Sequence, residues 1–494
     1  MIFDWSFFMV FSSLLFLCAF FPLSLLAYSF CRTQKSQNVV LLIFSLMFYA
    51  WGEPKYVLLL MFMALVSWLC ALGVEKAGSV GGKRAWVGTA AVVDIALIGF
   101  FKYSGLVCSL FGPVPEFISK IALPIGISFY TFQLLTYVVD VYRREAPAQR
   151  SYWNVLLYAA LFHQCIAGPI VRYQTVNNDL FSGTPRQCQW DKGVSRFCGG
   201  LAKKVLLANP LGALADSIIL ADKAISDPTL FAANTEALSN LSVLGAWLGL
   251  AAYALHIYLD FSAYSDMAIG MGRMLGLRYL ENFNYPYISR TVTEFWRRWH
   301  MSLGTFFRYY VYIPLGGSRR GFLRSVLNTF IVWALTGLWH GASWNFLLWG
   351  LWFFVFLMLE RLLLKRVLEK VPVLSNLYLL LVVLLGWVIF RFTNLELGLT
   401  LVRSLFGANG NALTTFASTV QLKSNMYLLA VSVLASTPIM KRLRQVLEPF
   451  CHRRGNLGVY WDVFFYSILP VCLLLLSVAC LVGDSYNPFI YFQF

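Results

Sequence analysis

Thr336-Gly337-Leu338-Trp339-His340-Gly341-Ala342-Ser343-Trp344-Asn345 lies in the middle of an apolar run from Val326 to Glu360. Built as one helix, roughly 35 residues would extend about 50 Å, against a bilayer core of about 30 Å. Both flanks of the run are basic, the far one through Arg361, Lys365 and Arg366. Equal charge on the two flanks predicts that the chain returns to the side it left. The run therefore reads as a broken or re-entrant pair, with Gly337 and Gly341 marking the expected break. His340 sits at that break. An ionisable side chain at membrane depth is costly and by default marks a functional site. Imidazole is also well suited to taking a proton from a hydroxyl near neutral pH. The structural alternative is a histidine hydrogen-bonded to a neighbouring helix, and the residues alone leave both readings open.

The composition agrees with a membrane protein. Of 494 residues, 59% are hydrophobic and 13% charged, and mean hydropathy is +0.67, whereas a soluble surface needs about a quarter of its residues charged. A soluble enzyme and a disordered chain are both excluded. The 39 Lys and Arg outnumber the 23 Asp and Glu, for a formal charge of +16. On a soluble protein that surplus would suggest nucleic acid. Here the basic residues gather in alternate loops: Arg32 and Lys35, then Lys76, Lys83 and Arg84, then Arg143, Arg144 and Arg150. The loops between them, Gly52-Glu53-Pro54 and 104–119, are acidic or lack Lys and Arg through Ser119. That alternation predicts cytoplasmic basic loops and an extracytoplasmic N-terminus, with membrane lipid and not nucleic acid around the chain.

Beyond residue 150 the pattern is less regular. Trp153 to Ile170 is basic on both sides and is expected to enter and return or to lie shallow. An acidic outer loop (Asp222, Asp227, Glu236) follows, and Glu281 to Arg324, with seven arginines and two glutamates, should face the cytoplasm. Later spans are expected near 376–392, 426–437 and 459–482, leaving the C-terminus outside. The fold class is all-α: a polytopic membrane protein of about ten transmembrane helices plus re-entrant and interfacial helices. The first apolar run, Trp5 to Phe30, follows acidic Asp4 and is expected to be retained rather than cleaved. The ten cysteines show no CxxC or Cys/His metal spacing and read as small apolar residues.

Several other residues could carry chemistry. His300 lies in Phe295-Trp296-Arg297-Arg298-Trp299-His300, where aromatics alternate with arginines as in a helix at headgroup level. Arg297, Arg298 and Arg308 could instead form a cationic mouth for a phosphorylated donor, since guanidinium groups fork onto phosphate. Coenzyme A and lipid phosphates both fit. His256 and Asp260, four apart, share a helix face, either to orient a base or as a self-satisfied polar pair; the structural role is favoured. Trp339, Asn345 and the backbone near Gly341 could donate to an oxyanion. His163, His452, Asp94 and Lys102 receive no role. No HExxH, Walker, GxSxG or dinucleotide motif is present.

These motifs carry a family resemblance. Phe295-Trp296-Arg297-Arg298-Trp299-His300-Met301-Ser302-Leu303, Tyr310-Val311-Tyr312-Ile313-Pro314-Leu315-Gly316-Gly317 and Leu335-Thr336-Gly337-Leu338-Trp339-His340-Gly341 resemble the membrane-bound O-acyltransferases, in the bacterial alginate O-acetyltransferase branch. Phe48-Tyr49-Ala50-Trp51-Gly52, Leu123 to Gln133, Ala167 to Tyr173 and Asn487 to Phe494 extend the likeness over nearly the whole chain. It departs at Tyr309, His163 and His256, where the family usually has aspartate, proline and glutamine. The resemblance implies one membrane-embedded domain over 1–494, with N-terminal helices (1–152), a catalytic core with re-entrant segments (153–360) and C-terminal helices (361–494). It implies that His340 is the catalytic histidine and His300 a second functional one. The donor would be cytoplasmic acetyl-CoA, with no tightly bound cofactor and no metal. The acceptor would be a hydroxyl on an extracytoplasmic polysaccharide of the alginate or cellulose type, or an exported acetyltransferase partner, at the bacterial inner membrane. Peptidoglycan O-acetylation, D-alanyl transfer to teichoic acid and a non-enzymatic transporter are the alternatives.

Overall fold

The computed structural model describes residues 9–165, 168–184, 186–219, 228–483, 486 and 487. Four expectations fall wholly or partly outside these: the start of the first apolar run, the acidic residues Asp222 and Asp227, Ala167, and the closing motif from Pro488. All regular structure among the described residues is helical. Among these residues, seven helices are long and apolar enough to cross a membrane, or eight if the bent pair Met426–Ala435 and Ile439–His452 counts as one span. That is fewer than the ten or so crossings expected. Other apolar runs are divided among shorter or more polar helices: Phe16–Ser29 is short, Gln34–Gly52 opens in a polar turn, and Ile127–Tyr142 has 16 residues.

The contacts divide the chain into two units that interleave in sequence. The first comprises residues 1–201, 264–281 and 465–483. Within it, Val57–Lys76 buries Leu60, Met63, Ala64, Ser67, Cys70, Ala71 and Val74, the three-to-four spacing of one helix face. That face packs on Val80–Ile98 and Ile127–Tyr142. His163 Nδ1 lies 2.6 Å from the Tyr279 hydroxyl, and Arg196 bridges Asp266 and Glu281, at 2.6 Å to each.

The second unit comprises residues 202–263, 282–464 and 484–494. Six of its helices bear on function and are labelled here: α1 (Val243–Met274, of which 243–263 belong to this unit), α2 (Val292–Arg298), α3 (Met301–Phe307), α4 (Phe322–His340), α5 (Trp344–Leu359) and α6 (Pro372–Arg391). The over-long apolar run proves to be the hairpin α4–α5. Gly341, at φ −171° and ψ 158°, leaves the helix where expected. Both arms reach span length because α4 starts at Phe322 and the second arm continues to Lys370.

Gly337 does not break the helix; its role is packing. A Cβ there would stand 3.1 Å from Leu347 Cα and against Phe346 O, while one at Gly350 would meet Trp333 O. Gly337 facing 346–347 and Gly350 facing 333 is an antiparallel register. Without side chains at these glycines the arms approach backbone to backbone, as close helix packing in lipid requires. The Glu360 carboxylate accepts from the backbone N–H groups of Val292 and Thr293 and from the Thr293 hydroxyl. It thereby caps α2, satisfying donors a helix start leaves open. The unit's core is aromatic, with Phe295, Trp299, Trp349, Phe353 and Trp387 all buried.

Candidate active site

The sequence between α2 and α3 cannot continue as helix at His300, which adopts φ 44° and ψ 52°. A non-glycine residue in the left-handed region costs about 1–3 kcal/mol and persists only where its surroundings hold it. The holding group is Asn282. Its side-chain oxygen accepts from Ser302 N at 3.1 Å and from Ser302 Oγ at 2.9 Å, and lies 3.3 Å from His300 Nδ1; its backbone carbonyl accepts from Met301 N at 2.9 Å. An amide oxygen can only accept, so this contact places the His300 proton on Nδ1 and leaves Nε2 as the basic nitrogen. Burial first, and neighbouring His340 second, hold the His300 imidazole well below the usual histidine range.

His340 ends α4 and is buried. Its Nδ1 lies 2.7 Å from Thr336 O, one turn back. A carbonyl also only accepts, so here too the proton is on Nδ1 and Nε2 is basic. Both histidine rings pack on Trp339, with ring centres 5.8 Å from it for His300 and 4.9 Å for His340. Trp349 closes against His340 at 4.6 Å. Its indole N–H is buried and has no partner among the described residues, at a cost of about 1–3 kcal/mol.

A cavity of ≈ 200 Å³ reaches His300. It follows one face of α4 through Thr329, Val332, Trp333 and Thr336, and His340 continues that face one turn further. At about 1.5 Å per residue, Thr329 to Thr336 spans roughly 10 Å. Gly304, Arg308 and Tyr312 line it as well. Gly304 and Arg308 are exposed and form the mouth, while His300 and Trp299 are buried and form the inner end.

Of the residues singled out from sequence, His340, His300 and Trp339 come together, and Arg308 lines the cavity that His300 also lines. Arg297 is exposed on α2. Arg298 is engaged with Glu294 at 2.8 Å and with Asn284 O at 3.2 Å. Asn345 points its amide at the carbonyls of Ile389 and Phe390, at 3.2 and 3.3 Å, and ties the hairpin to α6. Asp260 pairs with Lys204 at 2.7 Å, both fully buried, while His256 Nδ1 lies 2.7 Å from Ala208 O. The His256–Asp260 face is thus a helix-joining arrangement. His452 makes a surface pair with Asp462 at 3.1 Å. Asn282 and Trp349 escaped sequence reading: one lies in a polar loop with no spacing to tie it to His300, the other is one tryptophan among 16.

Residues 7–402 match the membrane-bound O-acyltransferase family. The chain belongs to that family. It is a multi-pass membrane O-acyltransferase. The family match is joined by relatives of nearly full length. A protein described as a probable alginate O-acetylase AlgI from Pseudomonas putida is 35% identical, covering 98% of this chain and all of its own. A peptidoglycan O-acetyltransferase from Helicobacter pylori is 28% identical over 99% of this chain and 98% of its own. A teichoic acid D-alanyltransferase from Bacillus subtilis is 27% identical over 46% of this chain and 56% of its own. Family membership sets aside the transporter alternative.

Proposed function

We propose that this acyltransferase moves an acetyl group from cytoplasmic acetyl-CoA to a hydroxyl of an extracytoplasmic polysaccharide, with His340 as general base. The observation that carries the reading is the pair of buried histidines, each with its Nδ1 at an obligate acceptor and its ring against Trp339, with His300 at the inner end of a cavity whose mouth bears Arg308. Fixing the proton on Nδ1 gives His340 a basic Nε2, as a general base requires. That nitrogen takes the hydroxyl proton as the oxygen attacks the thioester carbonyl. The C–S bond then breaks, and the thiolate recovers the proton as coenzyme A is released. His300 positions the thioester, and Arg308 with exposed Arg297 meets the anionic end of the donor. The oxyanion formed on the way needs a fixed donor. Asn345 is committed to α6, whereas the Trp349 N–H is uncommitted beside His340.

The alginate O-acetylase relatives support an exopolysaccharide acceptor, reached directly or through an exported acetyltransferase partner. The near full-length peptidoglycan relative favours cell-wall glycan as the second reading. The alternation of basic and non-basic loops supports a location in the bacterial cytoplasmic membrane with both termini outside.

The test is reconstitution in proteoliposomes with labelled acetyl-CoA on the cytoplasmic face and alginate or peptidoglycan on the other. Base-labile label on alginate is expected. Label on peptidoglycan alone selects the second acceptor, and no acyl transfer from acetyl-CoA overturns the donor.

A further inference from the structure

We infer that Trp333, locked in place by Trp296, limits the acyl chain this enzyme accepts to a few carbons. The inference rests on the cavity being the donor site. Three tryptophans line it, Trp296, Trp299 and Trp333, and two of them cannot swing aside. The Trp333 ring packs on Trp296 at 4.8 Å and on Phe353 at 5.7 Å. Trp296 is backed by Phe353 at 4.9 Å and by Trp349 at 5.6 Å. Behind Trp333 the hairpin is closed backbone to backbone, with Gly350 seated against Trp333 O. A wall so supported yields little to an extra methylene, since overpacking forces backbone shifts rather than small rotations.

The small size of the cavity, ≈ 200 Å³, agrees with that limit. The sulfur arm of the donor and the acyl group share this space, so a short acyl group leaves room for the arm and a long one competes with it. The thioester carbonyl must also reach the inner end, beside His300 and Thr336, where the side chains are buried. A long acyl group therefore meets Trp333 before its carbonyl reaches the histidines. This makes Trp333 a specificity-determining residue: it sets which donors react and takes no part in proton transfer.

Acetyl-, butyryl- and hexanoyl-CoA are supplied in turn to wild-type, Trp333→Ala and Trp333→Leu proteins in proteoliposomes, with thiol release read in the presence of acceptor. The wild type is expected to lose at least about tenfold in kcat/KM from acetyl to hexanoyl. Either variant should raise the hexanoyl-to-acetyl ratio at least about tenfold. The leucine variant leaves the smaller void, and wild-type selectivity is read whether or not a variant folds. Wild type using hexanoyl-CoA as well as acetyl-CoA overturns the inference, as do folded variants that keep the wild-type ratio. Wild type inert toward every thioester overturns the donor assignment beneath it.

Discussion

Replacing Asn282 by aspartate keeps an acceptor for Ser302 N and Oγ but places a charge 3.3 Å from His300 Nδ1. At an effective dielectric of about 20, a unit charge pair at that separation is worth about 5 kcal/mol. That attraction favours the imidazolium and raises the His300 pKa. In the wild type, burial first and His340 second hold it well below the usual histidine range. In the variant its titration should move up toward the working range. A protonated His300 puts a cation beside His340 and opposes the proton uptake a general base needs, so the ratio of variant to wild-type activity should fall as pH drops through the new pKa and recover above it. Acetyl transfer in proteoliposomes from pH 5.5 to 8.5 measures this ratio directly and cancels titrations common to both proteins. Asn282→Leu, which strands the Ser302 donors, should lose activity at every pH, with about 1–3 kcal/mol of stability per stranded buried donor. A pH-independent ratio for Asn282→Asp, or a fully active leucine variant, would refute the claim that Asn282 fixes His300.

Three further outcomes follow from particular contacts. Gly350→Ala forces a methyl against Trp333 O and should cost about 1–3 kcal/mol in detergent unfolding; Gly88→Ala, with nothing within 4 Å of its Cβ position, should be neutral, and equal effects would contradict the hairpin packing. Arg308→Ala removes a cation from the cavity mouth and should raise KM for acetyl-CoA about ten- to a hundredfold, the worth of a charge-assisted hydrogen bond of about 1.5–3 kcal/mol; an unchanged KM would place the donor elsewhere. Trp349→Phe keeps most of the ring and deletes the N–H. It should lower kcat about a hundredfold or more if that N–H meets the oxyanion and leave the unfolding midpoint unchanged or higher; a normal kcat would make Trp349 purely structural.

Much of the fold was legible because the bilayer imposes strong rules: length against thickness, charge against side, glycine where backbone approaches backbone. The break at Gly341 follows from those rules. The role of Gly337 did not, since a glycine that breaks a helix and one that packs against a neighbour look alike in sequence. Among the described residues seven or eight helices reach span length where about ten crossings were expected, because apolar runs are measured by composition, which does not reveal where a helix stops. Within the site, the two histidines stood out because ionisable groups are rare in apolar surroundings. Their fixed protons were illegible: His340 relies on a main-chain carbonyl at Thr336, and His300 on Asn282, brought near by a loop. The Lys204 partner of Asp260 was illegible for a related reason. The i,i+4 spacing of Asp260 to His256 was real, yet Lys204 from another element claimed its carboxylate.

The most direct test is the rate of acetyl transfer by His340→Ala beside the wild type, in proteoliposomes matched for protein amount and unfolding midpoint. The account predicts loss of about 10²–10⁴-fold, the worth of a positioned general base, with the protein still folded and membrane-inserted. Acetyl transfer within threefold of wild type by the folded variant (about 0.65 kcal/mol) would contradict it.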